Sequence, residues 1–153
     1  MPYKKTELVI RAFNKIGKKL IIVGEGSEQK RLMRLANKNI KFLGSISDTE
    51  LKKCYANAKA VIFPQREDFG LVPLESQASG TPVIAYGFGG AKETIIKNKT
   101  GVFFYSKKKE SLIKALEKFR NTEIKYQDCI DNAKKFGDKE FKESLLKFIN
   151  EVV

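Results

Sequence analysis

Short apolar runs alternate along this chain with longer stretches whose apolar residues recur every three or four positions. Five runs are rich in β-branched or aromatic residues: Leu20-Ile21-Ile22-Val23, Ile40-Lys41-Phe42-Leu43, Ala60-Val61-Ile62-Phe63, Pro82-Val83-Ile84-Ala85 and Val102-Phe103-Phe104-Tyr105. Most lack polar–apolar alternation, as strands covered on both faces do. Between them, Leu8, Val9, Ala12, Phe13 and Ile16 fall on one helical face that Gly17 can close. Ser47-x-x-Glu50 reads as a capping box before a helix over Leu51 to Ala58, and Gly80 follows a helix over Leu74 to Ser79 at a natural cap position. After Lys107 the pattern is helical to the end. Leu112, Ile113, Leu116 and Phe119 come first, a second helix follows, and Phe141, Leu145, Phe148 and Ile149 mark the last. The alternation predicts a three-layer α/β/α domain with a mostly parallel sheet of about five strands, followed by C-terminal helices. One feature of the order is unusual: the chain opens on a helix, where a doubly wound domain normally opens on a strand.

The 153 residues suit one domain spanning 1–153. No apolar run approaches the roughly 20 residues of a membrane span, and Met1-Pro2-Tyr3-Lys4-Lys5 does not begin a signal peptide. Cys54 and Cys129 lack metal-binding spacing and read as reduced thiols of a cytoplasmic protein. The net charge of +12 attracts phosphates, nucleic acid or an anionic membrane surface, at which the protein could sit peripherally. Arginine, the residue of bidentate base reading, occurs only at 11, 31, 34, 66 and 120, and no nucleic-acid motif is present, so no specific nucleic acid is expected. A solvated lysine-rich surface accounts for the charge equally well. Histidine is absent, which removes the commonest general base and the commonest metal ligand.

In open α/β sheets, ligands bind beyond the carboxyl ends of the strands. Three loops fall there. Gly24-Glu25-Gly26-Ser27 links a strand to a helix; its glycines allow close backbone approach, although a plain tight turn is an equal reading. Glu67-Asp68-Phe69-Gly70-Leu71-Val72-Pro73-Leu74-Glu75 follows the third strand. Here Pro73 fits the first helical position, with Val72 extended before it, so a helix N-terminus lies near Gly70, Leu71 and Val72. Its unpaired N–H groups and dipole suit a phosphate. Glu75 is expected in the first turn and Glu67 on the loop opposite, where carboxylates can accept hydrogen bonds from paired sugar hydroxyls. A dipole-complementing Glu75 and a surface Glu67 remain the alternative. Gly87-Phe88-Gly89-Gly90-Ala91-Lys92-Glu93-Thr94, the third loop, suggests close backbone approach or a flexible connection.

Glu67 and Glu75 have the E-x7-E spacing of retaining glycosyltransferases of the GT-B fold, family 4. The stretches PYKKTELVIRAF, LIIVGEGSE, IKFLGSIS, AVIFPQREDFGLVPLESQASGTPVIAYGFGG, ETI and TGVFF follow in the family's order, and DNAKKFGDKEFKESLLKFI resembles the closing helices of a mannosyltransferase-like subgroup. The resemblance covers nearly the whole chain. It implies a Rossmann-like nucleotide-sugar-binding domain, the C-terminal half of an enzyme whose N-terminal acceptor domain is absent from this sequence.

By that resemblance Glu75 binds ribose hydroxyls, Glu67 approaches the transferred sugar, and the backbone of Phe69, Gly70 and Leu71, with Val72 beside them, cradles phosphates and sugar. Lys4 neutralises the diphosphate leaving group, Gly24 and Gly26 line the nucleotide side, and Ser45 and Ile46 contact the base. The donor is GDP- or UDP-linked, with mannose from GDP-mannose one candidate. No metal or other cofactor is implied, and polysaccharide or glycolipid synthesis is the implied setting. Two departures matter. The acceptor domain is missing, and so is a strand ending in Gly-Arg that the family places centrally, just before the position of Met1. Loss of that strand leaves its two neighbours either to pair directly or to carry free edges. A non-catalytic nucleotide-binding module, one half of a split enzyme and a truncated product stand as rival readings, and the sequence alone is not expected to transfer sugar.

Overall fold

The computed structural model describes residues 5–152. Lys4 lies outside them. Strand and helix alternate as the apolar pattern requires: α1 (Thr6–Ile16), β1 (Leu20–Val23), α2 (Gln29–Leu35), β2 (Ile40–Gly44), α3 (Asp48–Asn57), β3 (Val61–Phe63), α4 (Leu71–Ala78), β4 (Val83–Tyr86), α5 (Ala91–Thr94) and β5 (Gly101–Phe104). Three helices follow, α6 (Lys109–Arg120), α7 (Tyr126–Lys134) and α8 (Asp138–Val152). Gly17 closes α1 in the left-handed conformation, its N–H donating to the Phe13 carbonyl. The Ser47–Glu50 capping box is complete: each side chain accepts from the other residue's backbone N–H.

All strand pairings are parallel, as expected, but they form two sheets instead of one. β1 pairs with β2, and β3 pairs with β4, which pairs with β5. β1 and β3 do not pair with each other, so each keeps a free edge among the described residues.

The two sheets are also covered differently. In the three-stranded sheet, Ile84, Tyr86, Val102 and Phe104 enter the main core, while Phe63, Val83, Ala85, Ala91 and Ile95 form a second core on the opposite face. Helix α6 covers the first face, with α1 packed against α6, and α4 covers the second, with α5 and α7 packed against α4. The two-stranded sheet has one covered face. Leu20, Ile22, Ile40 and Phe42 join the main core, whereas Ile21 and Val23 are 54% and 37% exposed. The expectation of strands buried on both faces therefore fails for β1. Its alternation is hidden because its outward positions are apolar as well.

Free edges beside exposed apolar positions invite strand addition. We therefore expect the purified chain to self-associate at micromolar concentration; a single monomeric species by sedimentation velocity over that range would exclude the edges as contact sites. Both cysteines are free, Cys129 buried and Cys54 part-exposed. Burial, helped by neighbouring Asp128, pushes the Cys129 thiol up to about 11. Among the described residues no helix is long and apolar enough to cross a membrane.

Candidate functional site

The loop after β3 is held from below by backbone. The Gly90 N–H donates to the Glu67 carbonyl at 2.9 Å. A Cβ on Gly89 would collide with that same carbonyl, and one on Gly90 with the carbonyls of Asp68 and Phe69. The glycine-rich loop after β4 is thus the floor on which the acidic loop lies, and close approach, not flexibility, is what its glycines supply. Gln65, buried at 7% exposure, donates from Nε2 to Glu67 Oε1 at 2.8 Å and fixes that carboxylate's direction.

Gly70 then turns the chain with φ of 87° and caps α4 without a side-chain hydrogen bond. The helix begins at Leu71, so Pro73 is its third residue and Val72 is helical; both depart from the expected register. Pro73 is tolerated because N–H groups of the first turn have no partner inside a helix anyway. The N–H groups of Leu71 and Val72 lie at the positive end of the α4 dipole; Phe69, just before the cap, is 44% exposed and packs edge-on against Phe136.

Glu75 is consequently the fifth residue of α4, beyond the first turn. Its Oε2 accepts a hydrogen bond from the Tyr55 hydroxyl at 3.0 Å. Burial, and then the bond to Glu75, push the Tyr55 hydroxyl well above the usual phenol range, so it stays a donor. The opposite side of α4 is locked by buried amides. Gln77 Nε2 donates to the carbonyls of Pro73 and Thr94, and Asn132 Nδ2 donates to Gln77 Oε1 and to the Thr94 carbonyl. Thr94 Oγ1 in turn donates to the Gly90 carbonyl, joining this network to the glycine floor.

A second group of loops sits at the end of the two-stranded sheet. Gly24, with φ of 105°, donates its N–H to the Gly44 carbonyl at 2.7 Å. The Ser45 N–H donates to Glu25 Oε1 at 3.3 Å, and the Gly26 carbonyl accepts from Gln29. Gly24, Gly26, Ser45 and Ile46 are therefore gathered in one place, and Glu67, Phe69, Gly70, Leu71, Val72 and Glu75 in another, each at the carboxyl ends of its own strands. Sequence reasoning passed over Tyr55 and Gln65. Tyr55 looks like any apolar helix position, and Gln65 carries no spacing signal. Glu25, quoted within its loop, had no assigned role.

Such a site offers hydrogen-bond acceptors fixed in direction and backbone donors at a helix end, a combination that fits hydroxyls next to an anion. Among the described residues no cluster of three or more Cys, Asp or Glu side chains could hold a metal ion.

Comparison with known proteins gives a consistent picture. The model of the family described as glycosyl transferases group 1 matches residues 1–136. The chain is 33% identical over 142 residues to a glycosyltransferase of Methanocaldococcus jannaschii, covering 86% of this chain and 36% of that protein. It is 34% identical over 120 residues to a GDP-mannose-dependent alpha-(1-6)-phosphatidylinositol monomannoside mannosyltransferase of Mycobacterium tuberculosis, covering 67% of this chain and 31% of the relative. The chain thus spans about a third of the length of these relatives. Its fold matches that of the Anabaena protein HepE, solved with UDP and glucose, at a TM-score of 0.80 and 21% identity, over 99% of this chain and 46% of the other. With the family match running through the acidic loop and both glycine loops, the chain belongs to the group 1 glycosyl transferases.

Proposed function

We propose that this chain binds the nucleotide-sugar donor of a glycosyltransferase that moves a hexosyl unit, with retention, to a glycan or lipid-linked acceptor held by a further domain. The observation that carries this reading is the acidic loop laid on the Gly89–Gly90 floor, with α4 opening at its end and Glu75 held by Tyr55. Glu75 accepts hydrogen bonds from the ribose hydroxyls. The N–H groups at Leu71 and Val72 face the diphosphate, with Lys4 as its counter-charge. Glu67, directed by Gln65, orients the transferred sugar and is not a nucleophile; the departing phosphate assists the acceptor. Gly24 and Gly26 border the nucleotide, and Ser45 and Ile46 its base. No metal is required, because helix dipole and basic side chains offset the developing phosphate charge.

The donor is GDP- or UDP-linked. The Mycobacterium relative's name favours mannose from GDP-mannose, and the Anabaena structure's ligands favour a UDP-linked glucose. Titration calorimetry with GDP and UDP in the presence of a chelator tests the core of the reading. One of the two should bind, and Glu75→Ala should weaken it by about 1–3 kcal/mol through lost charged hydrogen bonds. Equal affinity for wild type and variant removes Glu75 from the site.

A further inference from the structure

We infer that Tyr55 is a positioning residue for nucleotide recognition: its hydroxyl, donating to Glu75 Oε2 at 3.0 Å, sets the carboxylate so that Oε1 and one remaining lone pair of Oε2 face an adjacent pair of hydroxyls. The inference rests on the reading of Glu75 as a hydroxyl clamp.

Glu75 stands on an exposed turn of α4, and a glutamate there has three free torsions to lose before it can grip a ligand. A group that removes that freedom in advance makes binding tighter without touching the ligand. Tyr55 is built for this. It is the buried residue of α3, 9% exposed, so its ring has little room to move. Its own carbonyl accepts a 2.7 Å hydrogen bond from Thr81 Oγ1, which ties the end of α3 to the turn after α4. Ser76 Oγ donates to the Thr81 carbonyl at 2.8 Å, returning the chain of contacts to α4 one residue beyond Glu75. The phenol and the carboxylate it meets are therefore mounted on two helices cross-linked through Thr81. A hydroxyl in this place has one donor, and the carboxylate consumes it. α3 also starts directly after Ser45 and Ile46, so the same helix carries the loop assigned to the base at one end and the tyrosine at the other.

The test compares UDP and GDP with their 2′,3′-dideoxy counterparts, by titration calorimetry, on wild type, Tyr55→Phe, Glu75→Gln and the double variant. Tyr55→Phe keeps the ring and its packing, and an unchanged melting temperature accompanies the binding data. The expected result is that Tyr55→Phe weakens the bound ribonucleotide about five- to tenfold and changes the dideoxy nucleotide by less than about twofold. The double variant is then no weaker than Glu75→Gln alone, since both act through one carboxylate. Equal loss for both kinds of nucleotide, or losses that add in the double variant, would overturn the inference and leave the clamp standing. If Glu75→Gln itself binds ribonucleotides like the wild type, the clamp falls and the role of Tyr55 falls with it.

Discussion

Replacing Gly90 by alanine should lower the melting temperature by roughly 6–12 °C, equivalent to about 3 kcal/mol for a domain of this size. The backbone at Gly90 is ordinary right-handed helix, φ −59°, so alanine suffers no torsional penalty there. The whole effect comes from one methyl group driven against the carbonyls of Asp68 and Phe69, which are backbone and cannot rotate away. Relief requires the acidic loop to lift from its floor, carrying Glu67 and the start of α4 with it. Nucleotide binding should therefore fall together with stability. Gly17→Ala is the matched comparison. At Gly17 φ is 67° but the added Cβ meets nothing within 4 Å, so the left-handed torsion alone costs about 1 kcal/mol. Thermal melts of the two variants decide the matter: a Gly90→Ala loss no larger than that of Gly17→Ala would mean that the acidic loop and the glycine loop are not in backbone contact.

Asn132→Leu should cost about 3 kcal/mol, although leucine has the same branched outline and number of side-chain heavy atoms as asparagine. The substitution deletes two hydrogen bonds and leaves Gln77 Oε1 buried without a donor. Stranding a buried acceptor costs about 1–3 kcal/mol. Gln77 is fully buried and Asn132 nearly so. Adding Gln77→Met to Asn132→Leu removes that orphan but takes the last donor from the Thr94 carbonyl, so the two losses should not add. Strictly additive losses in urea titrations would show that the amides act separately.

The elements were legible because local chemistry and the final fold agree. β1 falls where its four apolar residues stand, α3 starts at its capping box, and Gly17 and Gly80 take the positive φ that helix endings need. Proline misled the start of α4. Gly70, with no side chain to advertise a cap, opened the helix two residues earlier, and that displacement moved Glu75 out of the first turn. The division into two sheets was foreseen as one of two outcomes for β1 and β3, but the open face of β1 was not, since outward isoleucine and valine look like buried ones in a sequence. Contacts between distant residues were the least legible. Nothing near Tyr55 points to Glu75, 20 positions away, and nothing near Gly90 points to the carbonyl of Glu67. Such pairs depend on how helices and loops stack in three dimensions, and no local period encodes that.

Helix α1 meets both halves of the molecule, but by different means. On the side of the two-stranded sheet its contacts are partly polar. Asn14 exchanges hydrogen bonds with the Leu35 carbonyl and the Asn37 N–H, while Asn39 donates to the carbonyls of Phe13 and Lys18. Towards α6 it offers apolar packing within the main core. The side facing the two-stranded sheet thus has directional hydrogen bonds added to its apolar contacts, whereas no side-chain hydrogen bond joins α1 to α6 among the described residues. Partial opening therefore has a natural fracture plane between α1 and α6, with no strand ladder crossing it. The segment from α1 to β2 would detach as one cooperative unit and expose the helix by which it was seated, while the three-stranded unit, buried on both faces, keeps its amides protected longest.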